Sequence, residues 1–173
     1  MAYPKITVNT GKALEVIASD TIPIPSPNAV QITGDATSAV TNKLVDSGAP
    51  FGNVVVGDIV YNTTDDTVAT VTAVDSASTL SLSADIFAVG EVYIVFQGGP
   101  RFEQRIESST GCLLYVGTNN VSTLNVDIKV KTIAGSVVQF KGFPVGEYLP
   151  VQVVQLFANG TTDVSDNNCV AIW

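Results

Sequence analysis

Asn125-Val126-Asp127-Ile128-Lys129-Val130-Lys131 alternates polar and apolar side chains along its whole length. In an extended chain successive side chains leave opposite faces, so this stretch buries Val126, Ile128 and Val130 and wets the residues between them. Thr132-Ile133-Ala134-Gly135 then reads as a turn, and Ser136-Val137-Val138-Gln139-Phe140 as the returning arm of a hairpin. Outward from this hairpin the same signals recur: short runs rich in Val and Thr, bounded by Gly, Asn, Asp or Pro. Strands are predicted over residues 6–8, 13–18, 29–32, 58–61, 68–74, 79–82, 92–96, 113–116, 123–131, 136–140, 149–158 and 169–173. No convincing helix of ten or more residues is present. The best candidate, Ala36 to Val45, mixes small and polar residues, and a single helical turn could sit around Ser83 to Phe87.

Gly34 to Gly99 is a self-contained run of short strands separated by the turns Asn62-Thr63-Thr64-Asp65-Asp66 and Asp75-Ser76-Ala77-Ser78. Such close spacing suggests a small closed barrel, in which closure hides strand edges. Gln97-Gly98-Gly99-Pro100 reads as an exit linker. The expected architecture is therefore all-β: a discontinuous, jelly-roll-like β-sandwich formed by residues 1–33 and 100–173, with residues 34–99 inserted as a small β-barrel. Within the sandwich, Gly142 and Gly146 flank Phe143-Pro144, which fits a tight corner between sheets. Leu149 to Phe157 is apolar on much of both faces, as expected of a central strand.

Composition narrows the function. Hydrophobic residues make up 46% of the 173, enough for a core, whereas only 14% are charged, well below the roughly 25% usual in soluble domains. A surface of Thr, Ser, Asn and Gly suits a protein partly covered by neighbours. The net charge is −8 and the eight basic residues form no dense sequence cluster, which argues against nucleic acid as a partner. Histidine is absent, removing the commonest general base and metal ligand. No segment is apolar and long enough to span a bilayer as a helix, and the first residues lack a secretory pattern, so assembly in a cytoplasm is expected, without membrane insertion.

Candidate chemical groups are few. Asp65-Asp66 sits in a turn, where a solvated pair is the simpler reading than a metal or acid site. Asp163-Val164-Ser165-Asp166-Asn167-Asn168 offers oxygen ligands but lacks the glycine and distal glutamate of a calcium loop. Thr10-Gly11-Lys12 lacks the flanking residues of a phosphate loop. Glu103 and Glu107 lie beside Arg101 and Arg105, which favours surface ion pairs, and Ser108-Ser109-Thr110 has no visible base. No catalytic residue, metal or cofactor is expected. Cys112 and Cys169 each open a strand. They read either as buried thiols or, if those strands are neighbours, as a pair able to bond when the Cα atoms lie within about 7 Å.

Two stretches resemble known families. Val55-Val56-Gly57-Asp58-Ile59-Val60-Tyr61-Asn62, with Ala69 to Asp75 and Leu80 to Phe87, resembles a small β module that recurs in tail, fibre and other structural proteins of phages. The second stretch runs through Cys112-Leu113-Leu114-Tyr115-Val116-Gly117, Val126-Asp127-Ile128-Lys129-Val130, Val137 to Gly146 with its Gly142-Phe143-Pro144-Val145-Gly146 exit, and Leu149-Pro150-Val151-Gln152-Val153-Val154-Gln155-Leu156-Phe157. It continues with Ala158-Asn159-Gly160-Thr161-Thr162 and ends Val170-Ala171-Ile172-Trp173. It is similar to the spike-base family of capsid-surface proteins in phages and gene transfer agents, whose members usually lack the middle insertion. The resemblance implies a non-enzymatic virion protein, a capsid decoration, cement or head spike-base protein on the particle exterior. It implies the major capsid protein or other virion proteins as partners and a homo-oligomer. The alternative is a tail, neck or fibre-associated module that binds host-surface glycan, with Phe51, Tyr61, Phe87 and Tyr93 as the aromatic candidates. Pro23, Pro25 and Pro27 cannot lie in a central strand, so Ile22 to Pro27 is expected to be an extended arm against another element or a subunit. Trp173 is expected either in the core or at an interface.

Overall fold

Apolar runs cut short by turn residues give the described chain fourteen strands, no α-helix and one three-residue 3-10 turn, Phe51–Asn53. The structure is a computed structural model, and the description covers residues 11–48, 51–97, 111–120, 122–162 and 169–173. The strand expected at residues 6–8, the Gly98 to Pro100 linker, the segments 101–110 and 163–168, and Thr10 lie outside those residues. The all-β, sandwich-like class read from the sequence is the observed one.

Two antiparallel sheets face each other. The first runs in the order β1 (Ala13–Glu15), β14 (Cys169–Ile172), β9 (Leu113–Val116), β12 (Glu147–Tyr148). The second runs β11 (Val137–Pro144), β10 (Asn125–Thr132), β13 (Val153–Leu156). Alternation sends Leu114, Val116, Cys169 and Ala171 from one sheet, and Val126, Ile128, Val130, Val153 and Leu156 from the other, into a single core. The polar/apolar pattern of residues 125–131 is thus realised as expected, and β10 is the central strand of its sheet.

The remaining strands form one curled antiparallel sheet. Its order is β2 (Val30–Asp35), β8 (Val92–Gln97), β5 (Ile59–Asn62), β6 (Thr67–Ser76), β7 (Thr79–Leu82), β4 (Lys43–Val45), β3 (Ser38–Val40). β6 pairs with β5 through residues 67–70 and with β7 through 71–76, and two register shifts against β7 bend it. The two edge strands, β2 and β3, are consecutive in the chain and joined through Ala36 and Thr37, so the sheet curls until its edges nearly meet. Leu44, Leu80, Val60, Val71 and Val95 with Phe51, Phe87 and Tyr93 fill its interior as a second core.

Three local expectations are corrected. Ala36 to Val45 holds no helix: β3 and β4 form a hairpin whose turn places Asn42 at φ 55°. The expected central strand at 149–158 is divided, because Pro150 has no N–H to give a ladder: Leu149 still bonds Leu114 in the four-stranded sheet, and only Val153–Leu156 joins the three-stranded one. Finally, Val30 to Thr33 pair with β8, so the ladder of the curled sheet begins before residue 34.

Candidate interaction surface

The residues that carry the family resemblance hold the frame. The Asp58 carboxylate accepts the Val55 N–H at 2.8 Å, closing a turn in which Gly57 sits at φ 94°, a conformation that costs glycine little. Asn62 is fully buried and fully bonded: its amide nitrogen donates to the Ile86 carbonyl and Glu91, and its oxygen accepts the N–H groups of Thr64 and Asp65. At the far end of the chain, where β13 leaves the ladder, Thr161 and Thr162 take over. Their hydroxyl oxygens accept the Lys129 and Asp127 N–H groups, each at 3.0 Å. The extra residue in β11 at Gly142 (φ 59°) is fixed by Asp127, whose carboxylate accepts the Gly142 N–H at 2.8 Å. Gly146 (φ 88°) then turns the chain from β11 in one sheet to β12 in the other, the corner expected from Gly142 to Gly146.

The proline arm lies along the free edge of β13. Ser19 and Ile24 donate to the Leu156 and Val154 carbonyls, each at 2.9 Å, and the Gln155 side chain donates to the Ser19 carbonyl at 3.0 Å. Pro25 is buried there, while Pro23 and Pro27 are half-buried. Trp173 is half-buried and packs against the sandwich core.

Cys112 and Cys169 are free, buried thiols. Their strands are neighbours, but Cys169 lies opposite Val116, four residues from Cys112 and so about 13 Å along the strand. The bonded pair is ruled out by register, not by distance between strands. Burial pushes the Cys112 thiol up to about 12 and the Cys169 thiol up to about 11.

In the curled sheet, Asp65 and Asp66 are exposed in their turn. Asp65 shares a hydrogen bond with Glu91, which raises its pKa; Glu91 is held below the ordinary carboxylate value by the Ala88 N–H first. Among the described residues no group of three or more Asp, Glu, Cys or His side chains is arranged to hold a metal. The Tyr93 hydroxyl donates to Asp46 at 2.7 Å, and burial, with that bond, raises its pKa. Tyr61 and Phe96 belong to neither core; they are buried edge-to-face at 5.0 Å, and the Tyr61 hydroxyl hydrogen-bonds the Ile17 backbone. Phe51, Tyr61, Phe87 and Tyr93 are all buried, so none is placed to stack on a sugar.

Apolar side chains stand exposed in both regions, Val30, Val55, Val56 and Val89 in the curled sheet among them. β11 pairs only with β10 among the described strands, and none of its eight residues is buried. Val137 and Val138 stand open on it, Leu124 projects beside the corner, and Tyr148 at the neighbouring edge packs edge-to-face on Tyr115 at 5.4 Å. The outward face of β10 and β11 carries Lys129, Lys131 and Lys141. The sequence distributes these cations over thirteen positions, which hid their convergence; the hairpin register brings them together. Lys129 lies over the Phe157 ring, 5.2 Å from its centre. Among the described residues the one ion pair is Lys43–Asp75, in the curled sheet, at 2.7 Å. Comparison of the chain with family models, with curated proteins and with solved structures gave no match.

Proposed function

We propose that this chain is a non-enzymatic structural protein of a phage virion, a capsid decoration, cement or head spike-base protein held on the particle exterior by the major capsid protein or other virion proteins. The observation that carries the reading is the eight-residue edge strand β11, with no fully buried residue and with exposed valines. An edge strand with exposed apolar side chains suits a protein whose working state is an assembly. The resemblance of residues 112–173 to the spike-base family supports the same reading. The residues quoted for that resemblance, among them Gly142, Gly146, Thr161 and Thr162, set the sheet corner and the strand end. The low charge content fits a surface that neighbours cover.

Immunogold electron microscopy of gradient-purified particles from a host expressing the chain tests this. Gold on the head surface is the expected result. Gold confined to the tail or fibres, or protein left in the soluble fraction without particles, overturns it. Glycan-array binding by the intact chain would favour the host-recognition alternative, whose aromatic contacts must then come from outside Phe51, Tyr61, Phe87 and Tyr93.

A further inference from the structure

We propose that the lysine face of β10 and β11 is a self-association surface, and that it takes the acidic curled-sheet region of a second copy of this chain. The inference does not depend on the virion reading.

Charge is strongly segregated along the chain. Residues 30–97 carry eight carboxylates and one lysine, a net −7; the rest carries eight carboxylates and seven cations, a net −1. Three of the seven cations of that second part, Lys129, Lys131 and Lys141, gather on one face. Lys129 and Lys131 are two residues apart on one face of β10, roughly 7 Å along the strand. The extra residue at Gly142 sets Lys141 opposite Asp127 on the same face. Asp127, the acidic side chain there, accepts the Gly142 N–H. Lys131 and Lys141 are exposed and have no ionic partner among the described residues.

Two copies of a −8 chain repel each other in most orientations. The orientation that sets the lysine face against residues 30–97 of the neighbour reverses that sign, and it places Val137, opposite Lys131 and exposed, inside the contact. The two surfaces are different parts of the chain, so the contact is head-to-tail. It closes into a ring or extends as a filament according to the rotation between copies.

Sedimentation velocity across ionic strength tests this. At about 0.01 M salt, where the screening length is about 30 Å, the mean mass should exceed the 18.1 kDa of one chain. At about 1 M, where screening acts within about 3 Å, it should return to that value. Lys131→Glu with Lys141→Glu should weaken association ~tenfold or more; both side chains are exposed, so the fold survives. Asp35→Lys with Asp65→Lys should weaken it similarly, and mixing the two double variants should restore it. A chain that is monomeric at low salt overturns the proposal, as does association indifferent to salt or to the lysine changes. A mixture that stays dissociated overturns the choice of partner region. Salt-sensitive binding of a single-stranded oligonucleotide by the lysine face, without self-association, would replace the second copy by nucleic acid.

Discussion

The sandwich and the curled sheet solve the same problem, burying one side of a set of short strands, by different means. The sandwich core is aliphatic with two thiols, and no aromatic ring is fully buried in it; Phe140, Phe143 and Trp173 flank it half-exposed. The curled sheet surrounds three aromatic rings and ties its loops with buried polar groups, Asp58, Asn62 and the Tyr93–Asp46 bond. A sandwich has two sheets to close over its core. A single curled sheet has open ends, and its loops must be pinned across them, which is the work of Asn62 between residues 62–66 and 86–91. Residues 30–97 carry a net −7 and the rest of the chain a net −1, so the lysine face lies in the less acidic part.

The largest effects should come from the cores. Leu114→Ala and Leu80→Ala each remove a fully buried side chain and should cost about 2–5 kcal/mol in denaturant unfolding. Trp173, the one tryptophan, sits against the sandwich core. Its fluorescence should follow the Leu114 change and stay nearly indifferent to the Leu80 change. Equal shifts from both would break the division and show the two cores unfolding as one.

Asn62→Leu leaves the Thr64 and Asp65 N–H groups without their side-chain acceptor and should cost about 3 kcal/mol. Near-UV circular dichroism of the buried tyrosines should report the loss. An unchanged unfolding midpoint would mean that the loops need no pin.

Alkaline pH should separate the regions. The thiols are near their raised values in the folded chain, about 12 and about 11, and near 8.5 when unfolded. Above about pH 8.5 the unfolded chain therefore binds fewer protons than the folded one, so stability falls as pH rises, by about 1.4 kcal/mol per unit for each thiol. Both thiols lie in the sandwich. Between pH 8.5 and 10 (about the free thiol and free tyrosine values) the tryptophan transition should weaken first, and Cys112→Ala with Cys169→Ala should flatten that trend. A pH-independent transition would contradict their burial.

The smallest effect tests the strand extension. Thr161→Val removes the acceptor of the Lys129 N–H and should cost about 1 kcal/mol, read from thermal unfolding.

Strand placement was legible wherever alternation was strong. Residues 79–82 and 113–116 are strands with the predicted ends, because Leu and Val there meet turn residues abruptly. The Ser38–Val45 hairpin was missed because Ala39 and Val40 give too little contrast, although Asn42 was the available turn signal. The proline arm was readable as extended, since proline cannot serve in a central ladder. Its seat on β13 was not, because that contact joins residues more than a hundred positions apart. The lysine face was not readable for a local reason: the extra residue at Gly142 decides which side Lys141 takes.

Residue order alone determined that this chain is all-β, where most strands lie, which side of β10 is buried, and that its surface is poor in charge. These follow from local rules: a period of two, turn chemistry and composition. Tertiary structure decided the strand order, the separation of the two thiols, and the gathering of Lys129, Lys131 and Lys141 on one face. Those depend on register between strands, which is set by how whole faces pack and not by any one segment's own pattern.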